Sequence, residues 1–386
     1  MSIPVRVFRM FCVSSEGRAL LPVRWRLRAS QWGMAILMVV VLNFPQVPLA
    51  GEKQVPQAGE KRELVLLTWP DYMDPDLLEK FEKKTGVSVR MVYFETDETR
   101  DELLARAGGE GFDVADIFCD RVGGYAEQGW LAPIDATLVP NMRRIGKRWL
   151  EAYPGVSRYA LPYFWGTFGI AYRPDLLGET ITRWRDLLVP SPKLRGKILM
   201  EKDSRSLLVV ALKALGGSSN AFGEEALREA MQLLIAQKPF VKDYGYPSMD
   251  EKSGLVTGEI WAATLYNGDT LFLQGIEPRI QYVLPEDGPI LWMDCMAVLN
   301  GSRNKKSAYE FIDFLHEPEN AAKLSRELGY ASTDPETRSF LPAEHVNNAL
   351  IHPPAEVVEK SELKFLEPIP VQAERRMKAL LHDLLR

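Results

Sequence analysis

Apolar and polar positions along residues 63–118 follow the two periods expected of strands and helices. Residues 63–69 are a short apolar run typical of a buried strand. Pro75 stands at an early helical position, an apolar stripe follows it, and Gly86 ends the pattern. The remaining predictions for this segment are strands over 87–94 and 112–118 and a helix over 97–107. Such a succession of strand and helix predicts a parallel sheet with helices on both faces.

The rest of the chain continues the alternation with a second set of elements. The predicted strands cover 159–162, 167–172, 197–200, 260–266, 280–284 and 295–299, and the predicted helices cover 205–215, 224–236, 305–315 and 318–328. The fold class is therefore α/β. Because a single core rarely grows beyond about 250–300 residues, a chain of 386 residues is expected to form two lobes or domains.

Composition and charge narrow the class of protein further. A hydrophobic content of 46% and a charged content of 26% are typical of globular proteins and exclude extended disorder, collagen-like repeats and disulfide-dense miniproteins. The net charge of -5 argues against a nucleic-acid partner, since binding to phosphates requires basic patches. Residues 1–50 carry six Arg, no Lys and one acid, so the remaining chain has a net charge of -10.

The first fifty residues have the pattern of a secretory signal. Arginines precede an apolar run from Trp32 to Phe44, and the small residues Ala50 and Gly51 follow it. The run of about 13 residues is shorter than the ~20 needed to span a bilayer as a helix. We expect a signal peptide over 1–50, with an over-long start, a flexible lead-in over 51–60 and a periplasmic location. An uncleaved membrane anchor or a buried core helix is the alternative.

Cleavage of this signal would leave two cysteines, Cys119 and Cys295. They either form one disulfide in an oxidising compartment or remain buried free thiols, and two free thiols are the favoured interpretation. Two cysteines are too few for a zinc site, and the four histidines show no ligand spacing. We therefore expect no metal and no cofactor.

Acidic residues follow the predicted strands at five separate places. One acid after a strand is more typical of packing or of a helix cap, and Asp203 is suited to cap the helix after it. Recurrence at the carboxyl edge of a sheet, where open α/β folds bind ligands, favours a binding site. Aromatic faces beside carboxylates suit a cation that carries methylene groups. The strand-end segments are 69–72, 116–120, 202–205, 266–269 and 292–294.

A series of short motifs runs through residues 63–386. They are Thr68-Trp-Pro-Asp-Tyr72, Phe94-Glu-Thr-Asp-Glu-Thr99, Leu161-Pro-Tyr-Phe-Trp-Gly166, Asn267-Gly268, Leu291-Trp-Met-Asp294 and Leu328-Gly-Tyr330. In this order they resemble the spermidine/putrescine-binding proteins of ABC importers. The resemblance implies a two-lobed periplasmic binding protein fold, type II-like, in which each lobe is a mainly parallel sheet flanked by helices. Lobe I would comprise 61–167 and 295–333, and lobe II 168–294 and 334–386.

The resemblance also implies a set of ligand-binding residues, with some departures from the family pattern. Ser206 replaces an expected acid, and residues 118–121 replace a loop that contains Ser and Tyr. Asp120 would restore the negative charge, and Arg121 beside it would cancel that charge. These departures favour a shorter or singly charged amine. The implied ligand-binding residues are Trp69, Asp71, Tyr72, Asp120, Asp203, Tyr266, Trp292, Asp294 and Tyr330.

The predicted function is that of the periplasmic substrate-binding component of an ABC importer. It would bind a putrescine- or spermidine-like amine between its lobes and deliver it to a membrane permease. Alternatives are a binding protein of the same fold for an amino acid derivative or ferric ion, and a ligand sensor. An enzyme such as a glycosidase, with Asp71 and Asp294 as its carboxyl pair, is disfavoured because no nucleophile elbow, phosphate loop or zinc-protease motif occurs.

Overall fold

One sheet joins the strands of the computed structural model, which describes residues 62–70, 72–366 and 369–386. The predicted signal peptide and lead-in lie outside the described residues. The strands are β1 (Arg62–Thr68), β2 (Val87–Tyr93), β3 (Val114–Phe118), β4 (Ala160–Tyr172), β5 (Ile198–Met200), β6 (Val241–Tyr244), β7 (Ala262–Tyr266), β8 (Gln281–Val283), β9 (Ile290–Val298), β10 (Ala331–Ser332) and β11 (Glu362–Leu363). The main path through the sheet is β2-β1-β3-β9-β4-β7-β5-β6, with β8 and β10 paired to β4 and β11 paired to β9.

Helices cover the sheet and connect its strands. The α-helices are α1 (Pro75–Thr85), α2 (Asp97–Ala107), α3 (Val122–Glu127), α4 (Lys147–Leu150), α5 (Pro174–Leu177), α6 (Trp184–Leu188), α7 (Ser204–Ala214), α8 (Glu224–Gln237), α9 (Gly254–Thr257), α10 (Asn267–Ile276), α11 (Lys305–Leu315), α12 (Pro318–Leu328), α13 (Ala343–Val346), α14 (Ala355–Lys360) and α15 (Val371–Leu384). Short 3₁₀ segments occur at Cys119–Arg121, Pro140–Arg144, Val156–Arg158, Pro192–Leu194, Lys238–Phe240 and Pro335–Phe340. No helix of the described ranges is long and apolar enough to cross a membrane.

The first strand–helix units form as their local sequence predicts. Asp74 caps α1 by accepting a hydrogen bond from the backbone N–H of Asp76, and Pro75 takes the first helical position. Gly86 ends the helix with a φ of 70°, a left-handed conformation that favours glycine. Strand β1 pairs in parallel with both β2 and β3. The predicted parallel sheet is confirmed for this half of the chain.

Two long strands cross the middle of the sheet in the antiparallel sense. Strand β4 is buried along all 13 residues and pairs with β9, which also pairs with β3. We predicted two short strands over 159–162 and 167–172, which is wrong, because the chain stays extended between them. The register shifts between Pro162 and Trp165, and this irregularity accommodates a proline that has no N–H for the ladder.

These two strands connect a group of parallel strands on each side. Beyond β4 the sheet continues through β7, and β5 then pairs in parallel with both β6 and β7. The chain therefore passes between the two halves of the sheet along β4 and again along β9, as expected of two non-contiguous lobes. The predicted lobe boundaries themselves stay a prediction.

A disulfide joins Cys119 to Cys295, so the favoured expectation of two free thiols is wrong. The two Cα atoms are 5.2 Å apart although 176 residues separate the cysteines. Strand β3 lies antiparallel to β9 with Ile117 opposite Cys295, which brings the two sulfur atoms together. The bond holds the segment after β3 against the middle of β9, and both of these segments contribute side chains to the cavity described below.

Candidate ligand-binding site

A cavity of about 790 Å³ lies at the carboxyl ends of the parallel strands. Residues that follow β1, β2, β3, β5, β6 and β7 line it, together with residues from β9, from the segment before β10 and from the segment after β11. Open α/β sheets bind ligands at this edge, and the volume is within the range of small-molecule pockets. Strand ends that are distant in the sequence therefore lie side by side in the sheet and form one cavity wall.

Eight of the nine predicted ligand-binding residues line this cavity. Asp71 lies outside the described residues, and contact of any of these side chains with a ligand stays a prediction. The eight residues are Trp69, Tyr72, Asp120, Asp203, Tyr266, Trp292, Asp294 and Tyr330.

Asp294 is the most deeply placed acid in the wall, with 2% of the residue exposed. The Tyr72 hydroxyl donates a hydrogen bond to its Oδ2 atom, while its Oδ1 atom is buried and has no hydrogen-bond partner among the described residues. Burial and the nearby carboxylate of Asp116 raise the pKa of Asp294 well above its usual value. Without a cation beside it, this side chain is favoured as the neutral acid.

Asp116 lies on β3 and is fully buried. The Thr68 hydroxyl donates to its Oδ2 atom over 3.3 Å. Burial raises the pKa of Asp116 to about 7, against an ordinary value of 3.8. Asp116 and Asp294 are therefore two neighbouring carboxyl groups in a buried environment that disfavours the ionised form of each.

Aromatic rings surround the indole of Trp292. The Tyr330 ring stands nearly perpendicular to it, with ring centroids 4.6 Å apart, and Tyr266 does the same at 5.8 Å. Phe118 approaches its edge at 6.5 Å, and Trp69 lies 6.0 Å from Phe118. These rings provide apolar faces that suit methylene groups and attract cations.

A second acid, Asp269, lies beside the same aromatic group. The hydroxyls of Tyr246 and Tyr330 donate hydrogen bonds to its Oδ2 atom, the latter over 3.2 Å. Burial raises the pKa of Asp269 above its usual value. The sequence placed this acid at a strand end, but the predicted set did not include it.

Another acid of the cavity wall, Asp203, acts as a helix cap. It accepts hydrogen bonds from the backbone N–H groups of Arg205 and Ser206, over 3.2 and 2.9 Å, and from the Ser206 hydroxyl over 2.6 Å. Burial opposes its ionisation, but the Lys364 ammonium and the hydrogen bonds from Ser206 together lower the pKa of Asp203. Asp203 therefore combines the capping role weighed above with a place in the cavity wall.

Asp120 forms an ion pair with an arginine that the sequence did not indicate, in addition to its electrostatic interaction with Arg121. The Arg205 guanidinium lies 2.6 Å from its Oδ2 atom, and that guanidinium also lies 3.9 Å above the Phe365 ring. We expected Arg121 to cancel the charge of Asp120, but the hydrogen-bonded ion pair comes from α7. The pairing depends on the distance between strand ends in space, which the sequence does not show.

Several residues of the cavity wall were missed by sequence reasoning. Glu201 follows β5, its Oε2 atom is buried without a hydrogen-bond partner in the described part of the chain, and burial raises its pKa to about 7. Asp97 lies 2.8 Å from Arg100, and its motif was part of the resemblance without being assigned a role. The residues missed are Glu95, Asp97, Glu98, Glu201, Tyr246, Asp269 and Lys364.

Comparison with known proteins agrees with this geometry. The model of a family described as bacterial extracellular solute-binding protein matches residues 76–348. A norspermidine sensor of Vibrio cholerae is 34% identical over 78% of this chain and 84% of its own length. Spermidine/putrescine-binding periplasmic protein 1 of Haemophilus influenzae is 28% identical over 77% of this chain and 82% of its own.

Solved structures show the same two-lobed fold. A putative spermidine/putrescine ABC transporter from Listeria monocytogenes superposes with a TM-score of 0.76 at 27% identity, over 84% of this chain and 98% of that one. A substrate-binding protein of a spermidine/putrescine ABC transporter from Streptococcus pneumoniae gives 0.72 at 25% identity, over 84% and 98%. The predicted periplasmic binding protein fold is confirmed. The chain belongs to the bacterial extracellular solute-binding protein family.

Proposed function

We propose that this protein is the periplasmic substrate-binding component of an ABC importer for a small polyamine-like cation. It binds the cation between its two lobes and delivers it to a membrane permease. The relatives named for spermidine, putrescine and norspermidine support this ligand class. Binding and delivery require no bond cleavage, so the proposed role includes no catalytic residue, cofactor or metal.

The observation that carries the proposal is the buried carboxyl of Asp294. Asp294 lines a cavity that aromatic rings also line, and its buried Oδ1 atom has no hydrogen-bond partner among the described residues. A ligand ammonium beside it would supply the missing donor and favour the ionised carboxylate. Burying an ammonium is costly unless a carboxylate or several acceptors pair with it, so the acid and the cation each need the other.

The aromatic rings of the cavity would contact the methylene groups of the ligand. Trp292 and Tyr330 present apolar surface next to Asp294, where the methylene spacers of an amine would be sandwiched. Movement of the two lobes towards each other removes water from such a ligand, which is the hinge motion of periplasmic binding proteins. The closed form would then present the surface that the permease binds.

Titration calorimetry with putrescine, spermidine, agmatine and a neutral sugar tests the proposal. We expect heat with at least one amine and none with the sugar. Asp294→Asn should weaken amine binding by at least tenfold, about 1.4 kcal/mol, because it removes the charge partner and keeps the shape. Asp383→Asn is the matched control, since Asp383 is an exposed acid on the last helix. No heat with any amine, or equally tight binding by Asp294→Asn, would contradict the proposal.

A ligand sensor is the second candidate. The Vibrio cholerae relative, named a norspermidine sensor, is 34% identical to this chain and supports it. Both roles use the same cavity, so binding experiments do not separate them. Uptake of labelled amine by cells with and without the gene does, because only a transport component changes the rate of uptake.

A further inference from the structure

Lys364 places an ammonium group of the protein itself inside the ligand cavity. The residue is 6% exposed, and its Nζ atom donates a hydrogen bond to the Ser206 hydroxyl over 2.5 Å and lies 3.4 Å from the Tyr266 hydroxyl. Four aromatic rings have centroids between 4.9 and 6.0 Å from Nζ, those of Phe168, Phe365, Tyr266 and Phe118. Hydroxyl acceptors and aromatic faces are the surroundings that a ligand ammonium would need.

Backbone hydrogen bonds fix the position of this lysine. Its N–H donates to the carbonyl of Leu291 on β9 over 2.9 Å, and its own carbonyl accepts from the Tyr153 hydroxyl over 2.6 Å. Two residues earlier, the Glu362 carboxylate accepts a hydrogen bond from Lys213 over 3.0 Å and one from the backbone of Ser219 over 2.7 Å. Hydrogen bonds at Glu362 and at Lys364 therefore hold this segment in place, and the ammonium group has a defined position.

The acids of the cavity consequently differ in whether the protein supplies a cation beside them. Near Lys364, the Ser206 hydroxyl connects the ammonium to the Asp203 carboxylate. Asp294 and Asp269 instead accept hydrogen bonds from tyrosine hydroxyls, and neither forms an ion pair with Lys or Arg within the described ranges. Asp294 and Asp269 are thus available to a cationic ligand, whereas the protein supplies its own cation beside Asp203 and Glu201, and the Tyr266 hydroxyl donates a hydrogen bond to Glu201 over 3.3 Å.

We infer that Lys364 takes the position of a ligand ammonium beside Asp203 and thereby selects diamines over triamines. This inference rests on the proposed function and names the substrate class of the same site. Asp294 and Asp269 would hold the two ammonium groups of a diamine such as putrescine. The third ammonium of a triamine would meet Lys364 in the same cavity, and like charges repel more strongly away from bulk water.

Calorimetric affinities for putrescine and spermidine, measured for the parent and for Lys364→Met, test this inference. Methionine keeps an unbranched chain that suits the aromatic surroundings and removes the charge together with the hydrogen bond to Ser206. We expect the parent to bind putrescine more tightly than spermidine. The ratio of spermidine affinity to putrescine affinity should rise at least tenfold in the variant.

Two further variants separate this effect from damage to the fold. Lys364→Gln retains an N–H donor for Ser206 without the charge and should shift the ratio in the same direction. Lys360→Met removes an exposed lysine at the end of α14, four residues away, and should leave the ratio unchanged. Thermal unfolding of each variant shows whether it remains folded. If Lys364→Met does not fold, the affinity ratio of Lys364→Gln tests the inference.

Three outcomes would overturn the inference. The first is a parent that prefers spermidine, and the second is a ratio that neither Lys364 variant changes. The third is tight binding of γ-aminobutyrate or lysine that is lost in Lys364→Met, because Lys364 would then hold a ligand carboxylate. A parent that gives no heat with any amine contradicts the proposed function itself, and it is recognised from the parent alone, before any variant is compared.

Discussion

Replacing the buried acid Asp116 with asparagine should change how the stability of the ligand-free protein depends on pH. Asparagine has nearly the same shape and does not titrate. The native pKa of Asp116 is about 7, against 3.8 for an ordinary aspartate. Between these two values the folded protein holds a proton that the unfolded chain has released, so the stability of the parent falls as the pH rises.

The size of the effect follows from these two pKa values. Linkage gives a loss of about 2 to 3 kcal/mol in the free energy of unfolding between pH 5 and pH 8 from this one group. The ionised Asp116 also raises the pKa of Asp294, so the substitution relieves a second source of the same pH dependence. The free energy of unfolding of the parent, minus that of the variant, should therefore fall steadily as the pH rises over this range. Groups that titrate equally in both proteins cancel in this difference.

Urea unfolding of extensively dialysed protein at pH 5, 6, 7 and 8 measures this difference. Asp383→Asn removes an exposed acid and should give a curve parallel to that of the parent. Parallel curves for the parent and Asp116→Asn would refute the reasoning, because they would mean that Asp116 ionises as an ordinary aspartate. The measurement involves no ligand, so its result is independent of which amine the protein binds.

Two further predictions concern the support of the cavity wall. A methyl group on Gly166 would lie 2.7 Å from Trp292. Gly166→Ala should therefore destabilise the fold by about 1 to 3 kcal/mol and weaken amine binding. Gly275→Ala is the control, because a methyl group there meets nothing within 4 Å. Chemical unfolding and calorimetry check both variants, and equal behaviour would contradict the packing argument. Replacing Cys119 and Cys295 by alanine should cost about 2 to 5 kcal/mol, and reductant should lower the melting temperature of the parent alone.

The elements that could be predicted from the sequence are those fixed by local signals. Helix α2 spans Asp97–Ala107, the range predicted, because Thr96 caps its start and Gly108 ends it in a left-handed conformation. Strand β4 was divided in two because Pro162 and Gly166 are normally breakers of regular structure, and pairing with β9 and β10 keeps the chain extended between them. The disulfide was the less favoured alternative for a related reason, since it depends on the pairing of β3 with a strand remote in sequence.

For the site, the strand-end rule found acids but did not show which of them are neutralised. Arg121 was expected to cancel the charge of Asp120, Asp203 was a candidate helix cap, and all three acids were assigned to the ligand. In the structure Arg205 pairs with Asp120, and Lys364 reaches Asp203 through a serine hydroxyl. Lys364 follows a strand of two residues, which is too short to show a hydrophobic period, and therefore no local pattern indicated it.

Ser206, which stands where the family pattern has an acid, and Lys364 act together on the charge of Asp203. A second carboxylate at position 206 would bring another negative charge to a confined group that already includes Asp203. A serine there instead accepts a hydrogen bond from Lys364 and donates one to Asp203, which joins cation and anion without direct contact. Lys364 thereby offsets the charge of Asp203 before a ligand arrives. Asp294 and Asp269 have no such cation from the protein, because burial raises the pKa of both acids and leaves their ionisation to a cation brought from outside. Ligand charge is consequently required beside Asp294 and Asp269, and this asymmetry is what makes the cavity selective for the number of ammonium groups.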